Sequence, residues 1–302
     1  MGGGRFDPAE WETYRTTHVT GKTATEVFST NLNPDLDPKG IKIRESCDSP
    51  DNPVSNAIAV VLDVSGSMGH VLEAIAKNLG VLVAEIYNKK PVTDPHLMFM
   101  AIDDVAVGNR VPLQTTQFEA DMRIADQLTK IYFEQGGGGN DSESYSLAWY
   151  FAAMHTKIDC FEKRGVKGNI FTIGDEFPTP LLTAEEINIV LGYKPQKETF
   201  TSEELLDMVS KKYNVFHLII EAGSNYNNQT QGKWTKLLGQ RAMPVSDVSK
   251  IAEIIVSTLQ TMAGVSEKEI LEAWDKSTAV VVRKAIKGIT TSKKGTGDLV
   301  RM

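Results

Sequence analysis

Residues 57–69 read AIAVVLDVSGSMG, and no other stretch constrains the chain as strongly. The unbroken apolar run with β-branched Ile58, Val60 and Val61 suits a strand buried on both faces, as in a parallel sheet. It ends on Asp63, and Ser65, Gly66 and Ser67 then bring turn chemistry. From 70 to 88, Val71, Leu72, Ile75, Leu79, Leu82, Val83 and Ile86 recur at helical spacing. A buried strand therefore delivers one carboxylate and two hydroxyls to a single loop. Such an all-oxygen set is what hard divalent cations take. The same residue types also cap helices and close strand–helix turns, so the rest of the chain has to decide between the two roles.

Strands and helices alternate through the remainder. Residues 97–102 form a second apolar strand, and Gly108-Asn109 supplies a turn toward a third at 110–113. Asp103 and Asp104 fall at the end of the second strand, where hairpin-end solvation is expected, although they can also face the Asp63 loop. A helix is expected over 119–133. Four glycines at 136–139 then precede Asn140, Asp141, Ser142 and Glu143, followed by a helix with Tyr145, Ala148, Phe151 and Ala152 on its buried face. Residues 168–176, GNIFTIGDE, form a strand ending in Asp175. Thr183 with Glu186, Thr201 with Glu204 and Ser266 with Glu269 each fit a capping box, the last opening a helix to about 286. His217, inside the strand at 214–220, is expected to be a hydrogen-bonded core residue. This alternation predicts an α/β fold with a doubly wound, mainly parallel central sheet and helices on both faces. Residues 1–53, broken by Pro34, Pro38, Pro50 and Pro53, are expected to be an extended arm, 54–264 the main domain, and 265–302 a C-terminal helix with a flexible tail.

The run DVSGSM after an apolar strand resembles the metal-ion-dependent adhesion site of a von Willebrand factor A domain, of the intracellular bacterial or viral type. That resemblance implies a Rossmann-like fold and a bound Mg²⁺ or Mn²⁺ at Asp63, Ser65 and Ser67. It places a metal-binding Thr after the glycines, where this chain offers Asp141 or Asn140 instead. It also implies support through water from Asp175, within a Thr-Asp-Gly that here reads Gly174-Asp175-Glu176. In that family the cation keeps a position open for an acidic side chain of a protein partner. The implied function is capture rather than turnover, and by analogy alone a ring-shaped ATPase of the AAA type is a candidate partner.

Other function classes fare worse. The 302 residues carry a formal charge of −7, which disfavours nucleic acid as a partner. No run approaches the roughly 18 apolar residues of a membrane helix, and the N-terminus lacks an apolar signal core, so no membrane partner and a cytoplasmic location are expected. Cys47 and Cys160 are expected to be reduced thiols. No nucleophile elbow, phosphate loop or His-rich metal motif is present, so the chain is not expected to be an enzyme. The alternatives are an assembly protein with a vestigial metal site and a metal-dependent hydrolase using Asp175 or His70 as base.

Overall fold

The computed structural model describes residues 4–18, 20, 22, 24–106, 108, 111–133 and 142–290, with only the backbone at 24, 25, 70, 72, 73, 75–77 and 79. Its centre is a six-stranded sheet built from β1 (Asn56–Asp63), β2 (Pro95–Ile102), β3 (Leu113–Thr115), β4 (Gly168–Gly174), β5 (Tyr213–Ile220) and β6 (Ala242–Val245). The strand order is β6-β5-β4-β1-β2-β3, parallel throughout except for β3 against β2.

β1 shows why the sheet is covered twice. Alternate side chains of a strand point to opposite faces. Ile58, Val60 and Leu62 enter one core with Leu82, Val83 and Ile86 of the helix Gly69–Lys89 and with Ile251 and Ile255 of the helix Ile251–Met262. Ala57, Ala59 and Val61 enter a second core with Trp149 and Phe151 of Tyr145–Met154, Leu205 of Ser202–Ser210 and Trp234 of Thr230–Leu238. Each buried aliphatic side chain contributes roughly 1.5–3 kcal/mol relative to exposure. The fold is the expected doubly wound α/β arrangement. After β1 the chain builds outward to β2 on one side, then returns to lay β4 on the other. The crevice at the carboxyl ends of β1 and β4 is therefore the topological switch point, where open α/β sheets bind ligands.

Several elements differ from the sequence expectation. The helix foreseen at 119–133 is only Arg123–Thr129. Glu119 exchanges both backbone hydrogen bonds with Leu97 at 2.9 and 3.0 Å, and the Gln114 side chain donates to the Tyr132 carbonyl and accepts from its N–H. Tertiary pairing thus overrides helical propensity at both ends. The single helix foreseen at 266–286 is two, Glu267–Glu272 and Lys276–Ile286, separated where the Asp275 carboxylate caps the second by accepting from Ser277 and Thr278 N–H. Both dock on their own domain, burying Ile270, Leu271, Val282 and Ile286 in the first core.

Residues 1–53 hold more structure than the prolines suggest. The helix Pro8–His18 buries Trp11, and Asp7 caps it by accepting from Ala9 and Glu10 N–H. A short strand, Arg44–Ser46, pairs in parallel with Thr156–Ile158. Among the described residues no helix is long and apolar enough to cross a membrane.

Candidate metal centre

The site starts with the last residue of β1. Asp63 is fully buried, and its Oδ1 accepts the Ser65 N–H at 2.9 Å, a local turn that releases the chain from the strand. A single 3₁₀ turn, Gly66–Met68, leads into the helix Gly69–Lys89. This turn sets the Ser65 and Ser67 hydroxyls 3.0 Å apart. Ser67 Oγ donates to Asp175 Oδ1 at 2.8 Å, which joins the β1 loop to the residue immediately after β4. Asp63, Ser65, Ser67 and Asp175, the last 108 residues beyond Ser67, form one cluster at the switch point.

A third segment closes over it. Asp175 Oδ2 accepts the Asn225 N–H at 2.8 Å, and the Asn225 side-chain amide donates to Glu176 Oε1. Ser224 donates to the Ser67 carbonyl from both its N–H and its hydroxyl, at 3.2 and 3.0 Å. Gly223 permits this approach, because a methyl there would lie 2.2 Å from Asp175 Cβ. Gly66, Ser224 and Asn225, beside the cluster, are exposed, while Ser65 and Ser67 are buried.

The residue that sequence reasoning passed over is Glu143. It lies in the short strand Ser142–Glu143, which pairs in parallel with Phe177–Pro178 just beyond Asp175. The Thr179 hydroxyl donates to the Glu143 carbonyl, and the side chain is only 2% exposed. Its Oε2 has no hydrogen-bond partner among the described residues. Burial pushes its carboxyl up to about 11, and the charges of Asp63, Glu176, Asp103 and Asp104 add to the effect. A buried carboxylate in this position is costly unless something positive satisfies it. The available signal was Glu143 itself, an acid directly before a strongly apolar helix.

Asp63 has the same character. Burial raises its carboxyl to about 8, with Asp175 adding to the rise and hydrogen bonds from Ser65 and Tyr145 opposing it. The Tyr145 hydroxyl donates to Asp63 Oδ2 at 2.7 Å. Burial, followed by the charges of Asp63, Asp175 and Glu143, holds this phenol well above its ordinary range. Asp103 and Asp104 are buried instead of solvated at a hairpin end. Asp104 Oδ1 accepts from Ala106 N–H at 2.9 Å and from the Ser144 hydroxyl at 3.2 Å, which ties that loop to the neighbour of Glu143. His217 is a core residue, bonded to Thr172 Oγ1 at 2.8 Å and stacked on Trp234. Asn140 and Asp141 lie outside the described residues, as does the His70 side chain.

The donor set of two hydroxyls and three carboxylates, from Asp63, Glu143 and Asp175, is all oxygen. It suits Mg²⁺ or Mn²⁺ and gives soft metals nothing to prefer. Glu143 Oε2 is an orphaned acceptor of the kind a cation would satisfy. Among the described residues no three His, Cys, Asp or Glu side chains stand together closely enough to hold an ion by themselves. A cation held at this place would have to draw on the serine hydroxyls as well.

No protein-family model and no curated protein matches the chain. Among solved structures it is similar to the pilus adhesin SpaC from Lactobacillus rhamnosus GG in an open conformation, with TM-score 0.47 and 13% identity over 74% of this chain and 31% of that chain. The chain thus spans less than a third of the adhesin. It is also similar to a von Willebrand factor type A structure from Catenulispora acidiphila, with TM-score 0.38 and 13% identity over 68% of this chain and 42% of that one. Conserved hypothetical protein BatB from Bacteroides thetaiotaomicron gives TM-score 0.32 and 14% identity over 55% and 66%. All three scores fall below 0.5, so the reading of the site rests on its own residues.

Proposed function

We propose that the chain is a divalent-cation-dependent protein-binding module, with Asp63, Ser65, Ser67, Glu143 and Asp175 as the cation's seat. The observation that carries this reading is the buried Glu143 oxygen without a hydrogen-bond partner among the described residues, within range of the Asp63 charge, where Ser65, Ser67 and Asp175 gather at the switch point. Bound there, Mg²⁺ or Mn²⁺ would supply a Lewis-acidic position that an acidic side chain of a partner can take. Ser65 and Ser67 offer neutral donors, which limits the negative charge an incoming carboxylate meets. Asp175 fixes Ser67 by accepting a hydrogen bond from its hydroxyl. Asn225 and Ser224 hold the rim, and their exposure puts them in reach of a bound partner.

The test is titration of the folded chain with MnCl₂, beside Asp63→Ala, followed by capture from native lysate in Mg²⁺ with chelator elution. Saturable Mn²⁺ uptake lost in Asp63→Ala, together with proteins released by chelation from the native chain alone, supports the reading. Absence of Mn²⁺ uptake overturns the cation site. Partners that stay bound through chelation and to the variant overturn capture through the cation and favour a structural role.

A further inference from the structure

Of the two oxygens on Asp63, one is held locally and the other from far away in the chain. Oδ1 takes the Ser65 N–H two residues on, a bond the turn makes by itself. Oδ2 takes the Tyr145 hydroxyl, 82 residues away. The phenol is fixed on every side that the contacts reveal. Its ring meets His217 edge-on at 5.0 Å and Trp234 edge-on at 5.3 Å. Trp234 is itself pinned by its indole N–H, which donates to the Glu176 carbonyl at 2.8 Å. Gly174 leaves the space the hydroxyl fills, because a methyl on Gly174 would lie 1.9 Å from Tyr145 Oη. The Glu176 N–H points at the same oxygen from 3.5 Å. One hydroxyl therefore links the end of β1 to the loop after β4.

We infer that Tyr145 is a positioning residue of the cation site: its hydroxyl holds the Asp63 carboxylate in the orientation the cation meets, an inference that rests on the cation reading above. Packing alone does not require that hydroxyl. A phenylalanine would present the same ring to His217 and Trp234, and burying a phenol and a carboxylate is favourable only when they satisfy each other. Partners that orient a metal-holding side chain are worth 10- to 100-fold in metal affinity.

The experiment compares Tyr145→Phe with Tyr213→Phe in the full chain. Tyr213 also buries its hydroxyl, 2.8 Å from Thr156 Oγ1, but it opens β5 at the opposite end of the sheet. The Mn²⁺ dissociation constant is read by titration and the thermal midpoint in chelator by melting. Tyr145→Phe is expected to weaken Mn²⁺ binding about 10-fold or more, and 4-aminophenylalanine at 145, which restores a donor, to recover most of it. Tyr213→Phe is expected to lower the midpoint and leave the Mn²⁺ constant unchanged. If the phenylalanine chain is unfolded without cation, the rise of its midpoint with MnCl₂ still reports the constant, since a ligand of the folded state stabilises it by mass action. A Tyr145→Phe constant within twofold of native overturns this inference alone. Native chain that stays folded and takes up no Mn²⁺ overturns the cation reading, and this inference with it.

Discussion

Gly174 and Tyr145 exclude each other's enlargement: a methyl group on Gly174 would lie 1.9 Å from the Tyr145 hydroxyl and 2.7 Å from Asp63 Oδ2. The glycine that ends β4 is thus matched by a phenol that reaches across from the helix Tyr145–Met154. Gly174→Ala is expected to destabilise the chain by about 1–3 kcal/mol, the cost of overpacking a closed core. Adding Tyr145→Phe should restore only part of this, because the ring carbon stays 2.7 Å from the new methyl. Urea denaturation midpoints measure both effects, and an unchanged midpoint for Gly174→Ala would show that the two residues do not share the space.

Gly232 is the counter-example. It lies within the helix Thr230–Leu238, and a methyl there would meet nothing within 4 Å. Gly232→Ala should stabilise the chain by about 0.5–1 kcal/mol, because alanine loses less backbone freedom on entering a helix. The same urea titration decides the sign.

Without a cation, the buried acids of the site should make stability fall as pH rises. Burial holds Asp63 up to about 8 against an ordinary value of 3.8. Between those values the folded chain keeps a proton that the unfolded chain has released, so folding weakens by at most about 1.4 kcal/mol per pH unit for this group. Glu143, raised to about 11, acts with the same sign. Burial lowers His96, His155 and His217, which opposes this fall through the ordinary imidazole range, so in chelator the thermal midpoint is expected to drop between about pH 7 and pH 8, and Asp63→Asn, which cannot ionise, to reduce that slope by up to one proton's share. A midpoint whose slope is the same in the native chain and in Asp63→Asn counts against the assignment.

Glu143→Gln separates stability from binding. An amide fills the same volume without a charge that burial opposes, so in chelator near pH 8 the variant should be as stable as the native chain or more so. Its Mn²⁺ affinity should fall by at least about 10-fold. Calorimetric titration reads the second quantity, and native affinity in Glu143→Gln removes Glu143 from the donor set.

Near-neighbour patterns made much of this protein legible. The apolar run of β1, its Asp63-x-Ser65-x-Ser67 ending and the capping boxes at Thr183, Thr201 and Ser266 are each set by residues within a few positions. Helix and strand periodicity and hydrogen bonds across one turn are short-range physics, and a single sequence displays them. The cap made by Asp275 was present in the sequence too, yet continuous helical periodicity on either side concealed it.

By itself, then, the sequence determined the doubly wound class and brought Asp63, Ser65, Ser67 and Asp175 to the carboxyl edge of the sheet, because strand direction and local turns dictate where those side chains emerge. Only the tertiary structure decided that Glu143 is buried within range of the Asp63 charge, that Tyr145 grips Asp63 from 82 residues away, and that Asp103 and Asp104 are enclosed. Those outcomes depend on which distant strands and helices pack together. The physical reason is burial: it turns an ordinary carboxylate or phenol into a group that must find a partner, and no spacing along the chain records it.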